Sequence, residues 1–185
     1  AALPGQPPPL AAVPEARILS VLLGFGAAAR IPFGFGYLAP EREARFTLGA
    51  LFSSHMFPGR APAGGQLLEA LVGGRRHPER LELADDELIK RVYEDLRQLM
   101  DLPEPPRFAV VLRPSSAIPQ LEAGYTDLLA WREAVHARVA GLRLCGFGWT
   151  GIGINDMVKE ARRAAEAICA PAAATGGPEV KGVYF

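Results

Sequence analysis

Apolar and polar positions along this chain predict strands first and helices later. Ile18 to Leu23 is apolar at all but one position and predicts a buried strand. Gly34 to Leu38 is aromatic and glycine-rich, fitting a second strand or a ligand-facing loop. From Arg45 to Ser53 the chain alternates, with Phe46, Leu48, Ala50 and Phe52 on one face, which predicts another strand. Phe57 to Gly65 is a Pro/Gly loop, and Gln66 to Val72 is a strand ended by Gly73 and Gly74. The period then changes. Leu88, Val92, Leu96 and Leu99 recur at helical spacing beside Ile89, Tyr93 and Met100. Asp85 or Asp86 is placed to cap that helix, and Pro103, Pro105 and Pro106 stop the chain from continuing it. Phe108 to Leu112 reads as a strand and Tyr125 to Val139 as a helix with Leu128, Leu129 and Val135 inward. Leu142 to Cys145 reads as a short strand running into a glycine-rich turn, followed by a helix that Asn155 or Asp156 can cap.

This order predicts an α+β module with a mixed or antiparallel sheet. The prolines at positions 4, 7, 8, 9 and 14 make residues 1–17 an extended lead-in. Residues 170–185 read as a tail, in which Val180 to Phe185 could dock as a short strand.

Composition narrows the classes. Among 185 residues, 49% are hydrophobic and 22% charged, which describes a globular chain. Twenty basic and twenty acidic residues cancel, so the clustered positive charge of a nucleic-acid footprint is missing. The pairs Arg75-Arg76 and Arg162-Arg163 read as solvated surface. Cys145 and Cys169 have neither metal spacing nor a disulfide framework, which suits a reducing, cytoplasmic compartment. The longest apolar run, Ile18 to Ala29, is too short to span a bilayer and is broken by Gly24 and Gly26. The proline-rich N-terminus lacks the charged and apolar regions of a signal peptide, and peripheral membrane contact stays open. His55, His77 and His136 are isolated in sequence and read as surface or loop, with no metal site expected.

The densest chemical signal lies in residues 141–169. Gly146, Gly148, Gly151 and Gly153 let backbone approach something flat or charged, and the helix start that follows offers unpaired N–H groups. Gly146-x-Gly148-x-x-Gly151 matches the dinucleotide fingerprint literally, but a true fingerprint opens a βαβ unit with an acidic residue further on. Here Pro171 and an alanine run follow the helix instead.

The whole segment resembles the C-terminal flavin-contact region of protoporphyrinogen oxidases, in the flavin amine-oxidase superfamily. Gly146, Gly151, Asn155, Asp156, Arg163, Ala164 and Ala165 fit a "G-x-x-x-x-G-x-x-x-N-D" turn and its Arg-x-Ala-Ala helix. Gly34-Phe35-Gly36-Tyr37-Leu38-Ala39-Pro40 is similar to the family's "G-F-G-x-L-V-P". Phe52-Ser53-Ser54 through Phe57-Pro58-Gly59-Arg60-Ala61-Pro62 is similar to its "F-S-S-x-x-F-P-x-R-A-P". Ala117-Ile118-Pro119-Gln120, with Gly124 after it, resembles "A-I-P-Q-Y-x-x-G-H". Each is weak alone; together, in family order, they span most of residues 18–169.

The resemblance implies that 18–139 is part of a substrate-binding domain and that 140–169 returns, as strand, turn and helix, to a Rossmann-like FAD domain. It implies FAD as cofactor and hydride transfer from a porphyrinogen, protoporphyrinogen or a coproporphyrinogen relative, in haem biosynthesis. It assigns flavin contact to Ile152, Gly153 and Ile154, with Phe147 as neighbour. There the residues agree, since apolar side chains flank a bare glycine next to a helix start that would stabilise negative charge on reduced flavin. It places Phe35, Gly36, Tyr37 and Leu38 along a tetrapyrrole pocket with Leu71, a lining that suits a large flat ligand and equally suits sheet core. Arg60 and Arg113 could meet propionates, although arginines are more often structural. No catalytic acid or base is singled out. Leu121, Tyr125, Cys145, Met157 and Ala161 depart from the family pattern and put substrate preference in doubt more than reaction type.

Nothing before Leu142 offers strand, GxGxxG and helix in that order. The chain therefore looks like the C-terminal portion of a flavoenzyme, whose partner is the FAD-binding half on the same or a separate chain. The other class to weigh is a non-catalytic binding or assembly subunit that reuses this half-fold without FAD.

Overall fold

A computed structural model describes residues 7–10, 12–115 and 117–169. The tail and the docking strand expected at Val180 to Phe185 lie outside the described residues. The described residues form two compact units, one within 15–118 and a second in which those of 7–14 group with 119–169. The helix at 125–138 groups with the C-terminal segment in this division.

The first unit is a five-stranded sheet. Its strands are β1 (Ile18–Phe25), β2 (Gly36–Leu38), β3 (Gly49–Leu51), β4 (Gln66–Gly73) and β5 (Phe108–Leu112). They lie in the order β2-β3-β4-β1-β5, and every pairing in this sheet is antiparallel. Side chains alternate across a sheet, so register sorts the faces. Tyr37, Ala50, Ala70, Val21 and Val111 stand opposite one another and face the core. The row beside them, Leu38, Gly49, Leu71, Ser20 and Leu112, points to the other face.

A short helix, α1 (Ser53–Met56), follows β3, and α2 (Asp85–Leu96) covers the core face. Leu88, Val92 and Leu96 of α2 pack with Leu19, Val21, Leu23, Leu68 and Val72. Leu99, expected inward, is 44% exposed because α2 ends at Leu96; Met100 and Leu102 turn in instead. Neither Asp85 nor Asp86 caps α2. Ala84 holds the cap position without a side-chain bond, and both aspartates lie in the first turn, where they complement the helix dipole.

The strand expected over Arg45–Ser53 is only three residues long. Asp95 of α2, buried, accepts hydrogen bonds from the N–H groups of Phe46 and Thr47 (3.3 and 3.1 Å) and from the Thr47 hydroxyl (2.8 Å). Those bonds take the N–H groups a strand would have offered its neighbour. At the other end the Phe52 carbonyl already accepts from His55 and Met56, opening α1.

The second unit contributes α3 (Tyr125–Arg138) and α4 (Ile154–Cys169). The strand expected at Leu142–Cys145 does not form. Its Leu144 N–H donates to His136 Nε2 (2.8 Å), and the Gly146 N–H points to Glu160 Oε2 (3.5 Å), so side chains take the place of a strand neighbour. The strand of the expected strand-turn-helix is therefore absent, while its turn and helix are present.

Candidate functional site

The C-terminal turn is built by α3. Tyr125, Leu128, Arg132, Val135 and His136 lie on one helical face, and three of them reach the segment 144–149. The Tyr125 hydroxyl faces the carbonyls of Gly148 and Trp149, the latter at 3.0 Å. The Arg132 guanidinium lies 5.2 Å from the Trp149 ring centroid. Its Nη1 is 2.6 Å from Glu160 Oε1 of α4, and both residues are buried. The other Glu160 oxygen takes a hydrogen bond from Thr150 (3.1 Å). Burial raises the pKa of Tyr125, so it remains a phenol, and burial lowers that of His136, which favours the neutral ring that can accept from Leu144.

That frame delivers an exposed apolar turn. Ile152 is 50% and Ile154 75% exposed, on either side of Gly153, and Phe147 is 43% exposed nearby in sequence. Neither Asn155 nor Asp156 caps α4. Gly153 supplies the carbonyl that accepts from the N–H groups of Asp156 and Met157 (both 3.1 Å), which leaves the two polar residues inside the first turn. Asp156 folds back over the turn: a Cβ at Gly151 would collide with its carboxylate, and one at Gly153 would sit 3.1 Å from Oδ2. The helix start is thus already complemented by a carboxylate. The turn thus presents a bare, apolar edge, while the helix-start charge is shared with Asp156.

The candidate residues of the sheet unit divide by face. Leu38 is 79% and Phe35 67% exposed. Leu71 lies in the same cross-strand row as Leu38, with Gly49 between them. Gly36 lets β2 press against β3, since a Cβ there would meet the Ala50 carbonyl. Tyr37 does not belong with this group. It packs against the core, and its hydroxyl lies 2.9 Å from Thr47 Oγ1. Burial, with Asp95 adding to it, raises its pKa. The strand period of two explains why Tyr37 and Leu38 part, because successive residues face opposite sides; Phe35 precedes the strand.

The open face carries Leu22, Leu38, Leu51, Leu67, Leu71, Val110 and Leu112, all half-buried or exposed. One polar pair interrupts it, where the Ser20 hydroxyl donates to Glu69 at 2.8 Å. Arg113 is not available to a propionate. Its guanidinium grips Asp85 Oδ1 (2.7 Å) and the carbonyls of Leu81 (2.7 Å) and Leu83 (2.6 Å), tying the end of β5 to the start of α2. Arg60 is exposed and lies over the Phe57 ring at 5.2 Å.

His136 is largely buried in its hydrogen bond to Leu144, not on the surface as expected. Among the described residues no group of three or more His, Cys, Asp or Glu could hold a metal, and no helix is long and apolar enough to cross a membrane. Arg132 and Glu160 were absent from the sequence-based candidates. Their signal was legible: Arg132 sits between Leu128 and Val135 on one helical face, and Glu160 between Met157 and Ala164 on another.

Comparison with known proteins gives a consistent picture. The model of the flavin containing amine oxidoreductase family matches residues 7–169. A chloroplastic protoporphyrinogen oxidase 1 of Spinacia oleracea is 35% identical over 169 residues, 85% of this chain and 29% of its own length. A coproporphyrinogen III oxidase of Bacillus subtilis is 28% identical over 80% of this chain and 32% of its own. A solved structure from Exiguobacterium sp. 255-15, provisionally named a protoporphyrinogen oxidase, superposes with a TM-score of 0.68 at 22% identity. It covers 84% of this chain and 35% of the other, and at that identity it speaks for the fold alone. The chain spans about a quarter to a third of the length of the curated relatives it matches.

Proposed function

Because the chain belongs to the flavin containing amine oxidoreductase family, we propose that it is the C-terminal portion of an FAD-dependent porphyrinogen oxidase, one that takes protoporphyrinogen IX to protoporphyrin IX. The observation that carries this reading is the turn before α4. Bare Gly153 lies between exposed Ile152 and Ile154, on a frame whose polar groups are already satisfied by Tyr125, Arg132 and Glu160. Bound FAD supplies the hydride acceptor. The work of this chain is to hold and orient. Ile152, Gly153 and Ile154, with Phe147, offer the ring an apolar edge that excludes water, and the α4 N–H groups, shared with Asp156, favour negative charge there.

On the sheet unit, Phe35, Leu38 and Leu71, with Gly36 allowing close approach, present an apolar surface suited to a flat tetrapyrrole. Tyr37 supports that surface from the core side. The other half of the FAD site, the pyrophosphate loop and ribose carboxylate, belongs to a partner segment on the same or a separate polypeptide. Coproporphyrinogen is the second substrate to consider, since a Propionibacterium freudenreichii coproporphyrinogen III oxidase is 31% identical over 94% of this chain.

Two measurements test the reading. The protein purified with its FAD-binding half should show the oxidised-flavin absorption bands and oxidise protoporphyrinogen. Assay against coproporphyrinogen decides between the substrates, and a colourless, inactive complex would favour a non-catalytic subunit instead. The 185-residue chain alone should bind FAD weakly, because one helix start is a fraction of a dinucleotide site. Submicromolar affinity of the chain alone would sink the divided-site reading.

A further inference from the structure

We propose that Glu160 is a positioning residue for the flavin-contacting turn, locked in place by Arg132 and acting through Thr150 and the Gly146 amide. The inference rests on the flavoenzyme reading above for its functional consequence, but its geometry is independent of it. Glu160 is 7% and Arg132 8% exposed, although both are charged. Charges this deeply buried are retained only where their partners are well placed. Here every oxygen of Glu160 is engaged. Oε1 takes Arg132 Nη1 at 2.6 Å, and Oε2 takes the Thr150 hydroxyl at 3.1 Å and faces the Gly146 N–H at 3.5 Å. Arg132 is held in turn by Glu133 Oε1, 3.1 Å from its Nε, and by the face of Trp149.

The consequence follows from sequence position. Gly146 and Thr150 bracket the glycine turn, and Ile152 to Ile154 come next, at the start of the helix that carries Glu160 two turns further on. A single carboxylate therefore ties both ends of the turn to α4. Without it, no other side chain in the described residues fixes the Thr150 hydroxyl, and the turn is left with its own backbone bonds, the Tyr125 anchor at Gly148 and Trp149, and an Arg132 that has lost its partner. A ring contact made by bare backbone depends on the backbone being held in one place, because a displacement of an ångström removes it. The clamp is the device that holds it.

The test uses Glu160→Gln in the flavin-loaded protein, with Glu166→Gln as control. Glu166 pairs with Arg162 on the exposed side of the same helix and touches nothing in the turn. Glu160→Gln keeps shape and removes the charge that binds Arg132. The first readout needs no flavin: amide hydrogen exchange across residues 144–154 should accelerate about tenfold over the wild type, while the control is unchanged. The second is flavin binding, for which we expect the dissociation constant to rise about tenfold, equivalent to about 1.4 kcal/mol, with a shifted flavin spectrum. A general loss of stability would lower the unfolding temperature without shifting the spectrum of the flavin that remains bound. If Glu160→Gln does not fold, Thr150→Val, at an exposed site, replaces it, with a several-fold weaker affinity expected. Unchanged exchange and unchanged flavin affinity in whichever variant folds overturn the proposal. A wild-type protein that takes up no flavin overturns the flavoenzyme reading instead, and the exchange measurement still decides the clamp.

Discussion

The two units are held together by opposite means. The sheet unit buries fifteen hydrophobic residues in one cluster, from Leu19 on β1 to Leu102 after α2. The C-terminal unit buries two hydrophobic residues among those described, Leu128 and Val135, and beside them the charged pair Arg132 and Glu160. Its helix α4 carries an apolar stripe at helical spacing, Ile154, Met157, Val158, Ala161, Ala165 and Ile168, of which Ile154, Val158 and Ile168 are more than half exposed. The first unit has the means to fold by apolar burial. The second has a polar frame that defines a shape and, among the described residues, an exposed apolar helix face.

The largest break of this contrast comes from the sheet core. Leu96→Ala, at a fully buried α2 position, should destabilise the sheet unit by about 2–5 kcal/mol, read as a lower denaturation midpoint. Val158→Ala, at a position 63% exposed, should cost the chain alone less than about 0.5 kcal/mol. If the two variants lose similar stability, α4 is packed in solution and the contrast fails.

Next in size is Gly153→Val in the flavin-loaded protein. Gly153 has a negative φ, so a branched residue is not excluded by conformation. Its Cβ would approach Asp156 Oδ2 at 3.1 Å, which asks for a shift of a few tenths of an ångström. The fold should survive, with a cap cost of about 1 kcal/mol at most, while flavin content falls because the ring edge is filled. Circular dichroism and flavin stoichiometry separate the two effects, and full flavin content with normal turnover would mean that this edge faces elsewhere.

Leu38→Arg should be smaller in its effect on the fold and selective in its effect on function. At 79% exposure the side chain gives up little packing, so stability should hold within about 0.5 kcal/mol. A guanidinium forced against an apolar ring loses hydration without a partner, so porphyrinogen turnover should fall while flavin occupancy stays. Tyr37, one residue earlier, supplies the internal contrast. Tyr37→Phe removes only the bond to Thr47, and should cost about 1 kcal/mol of stability with turnover intact. Turnover lost in Tyr37→Phe and kept in Leu38→Arg would reverse the assignment of the two faces.

Much of this contrast could be read from the chain before its structure. β1, β4, β5, α2 and α3 stand within a few residues of where apolar period and Pro/Gly punctuation put them, because each buries or exposes a whole face and the pattern records it. What failed did so where an N–H group finds a side chain instead of a neighbouring strand. Leu142 to Cys145 has strand composition, yet Leu144 binds His136, eight residues back. Arg45 to Thr47 alternates like a strand, yet its amides go to Asp95, nearly fifty residues away. No local pattern encodes such partners. The apolar residues of the turn were legible because they are neighbours in sequence; of the frame behind them, Arg132 and Glu160 each interrupt an apolar helical face, but no local pattern says that two helices bring them together with Tyr125 and His136.

The smallest effect is the one that probes this frame most gently. His136 accepts the Leu144 N–H through Nε2, which requires the neutral ring, and burial, the largest influence, lowers its folded pKa below the ordinary histidine value. Glu133 pulls the other way, and Arg132 and Arg143 add to the lowering. Between the folded and unfolded pKa values the unfolded chain binds more protons, so stability rises with pH across that window. The contribution of His136 is therefore complete above about pH 6.5 and is lost as the pH falls towards the folded pKa. Protonation would also turn the Nε2 acceptor into a donor facing another donor. Acidification from neutral to about pH 5.5 should thus lower the protection factor of the Leu144 amide, with the slower intrinsic exchange at low pH divided out, before that of the sheet unit changes, and His136→Gln should flatten that dependence. Because the sheet unit has its own apolar core, its β1 and β4 amides serve as the internal reference in the same sample. Equal acid sensitivity in β1 and at Leu144 would show that the two units open as one, and the division between an apolar core and a polar frame would have to be given up.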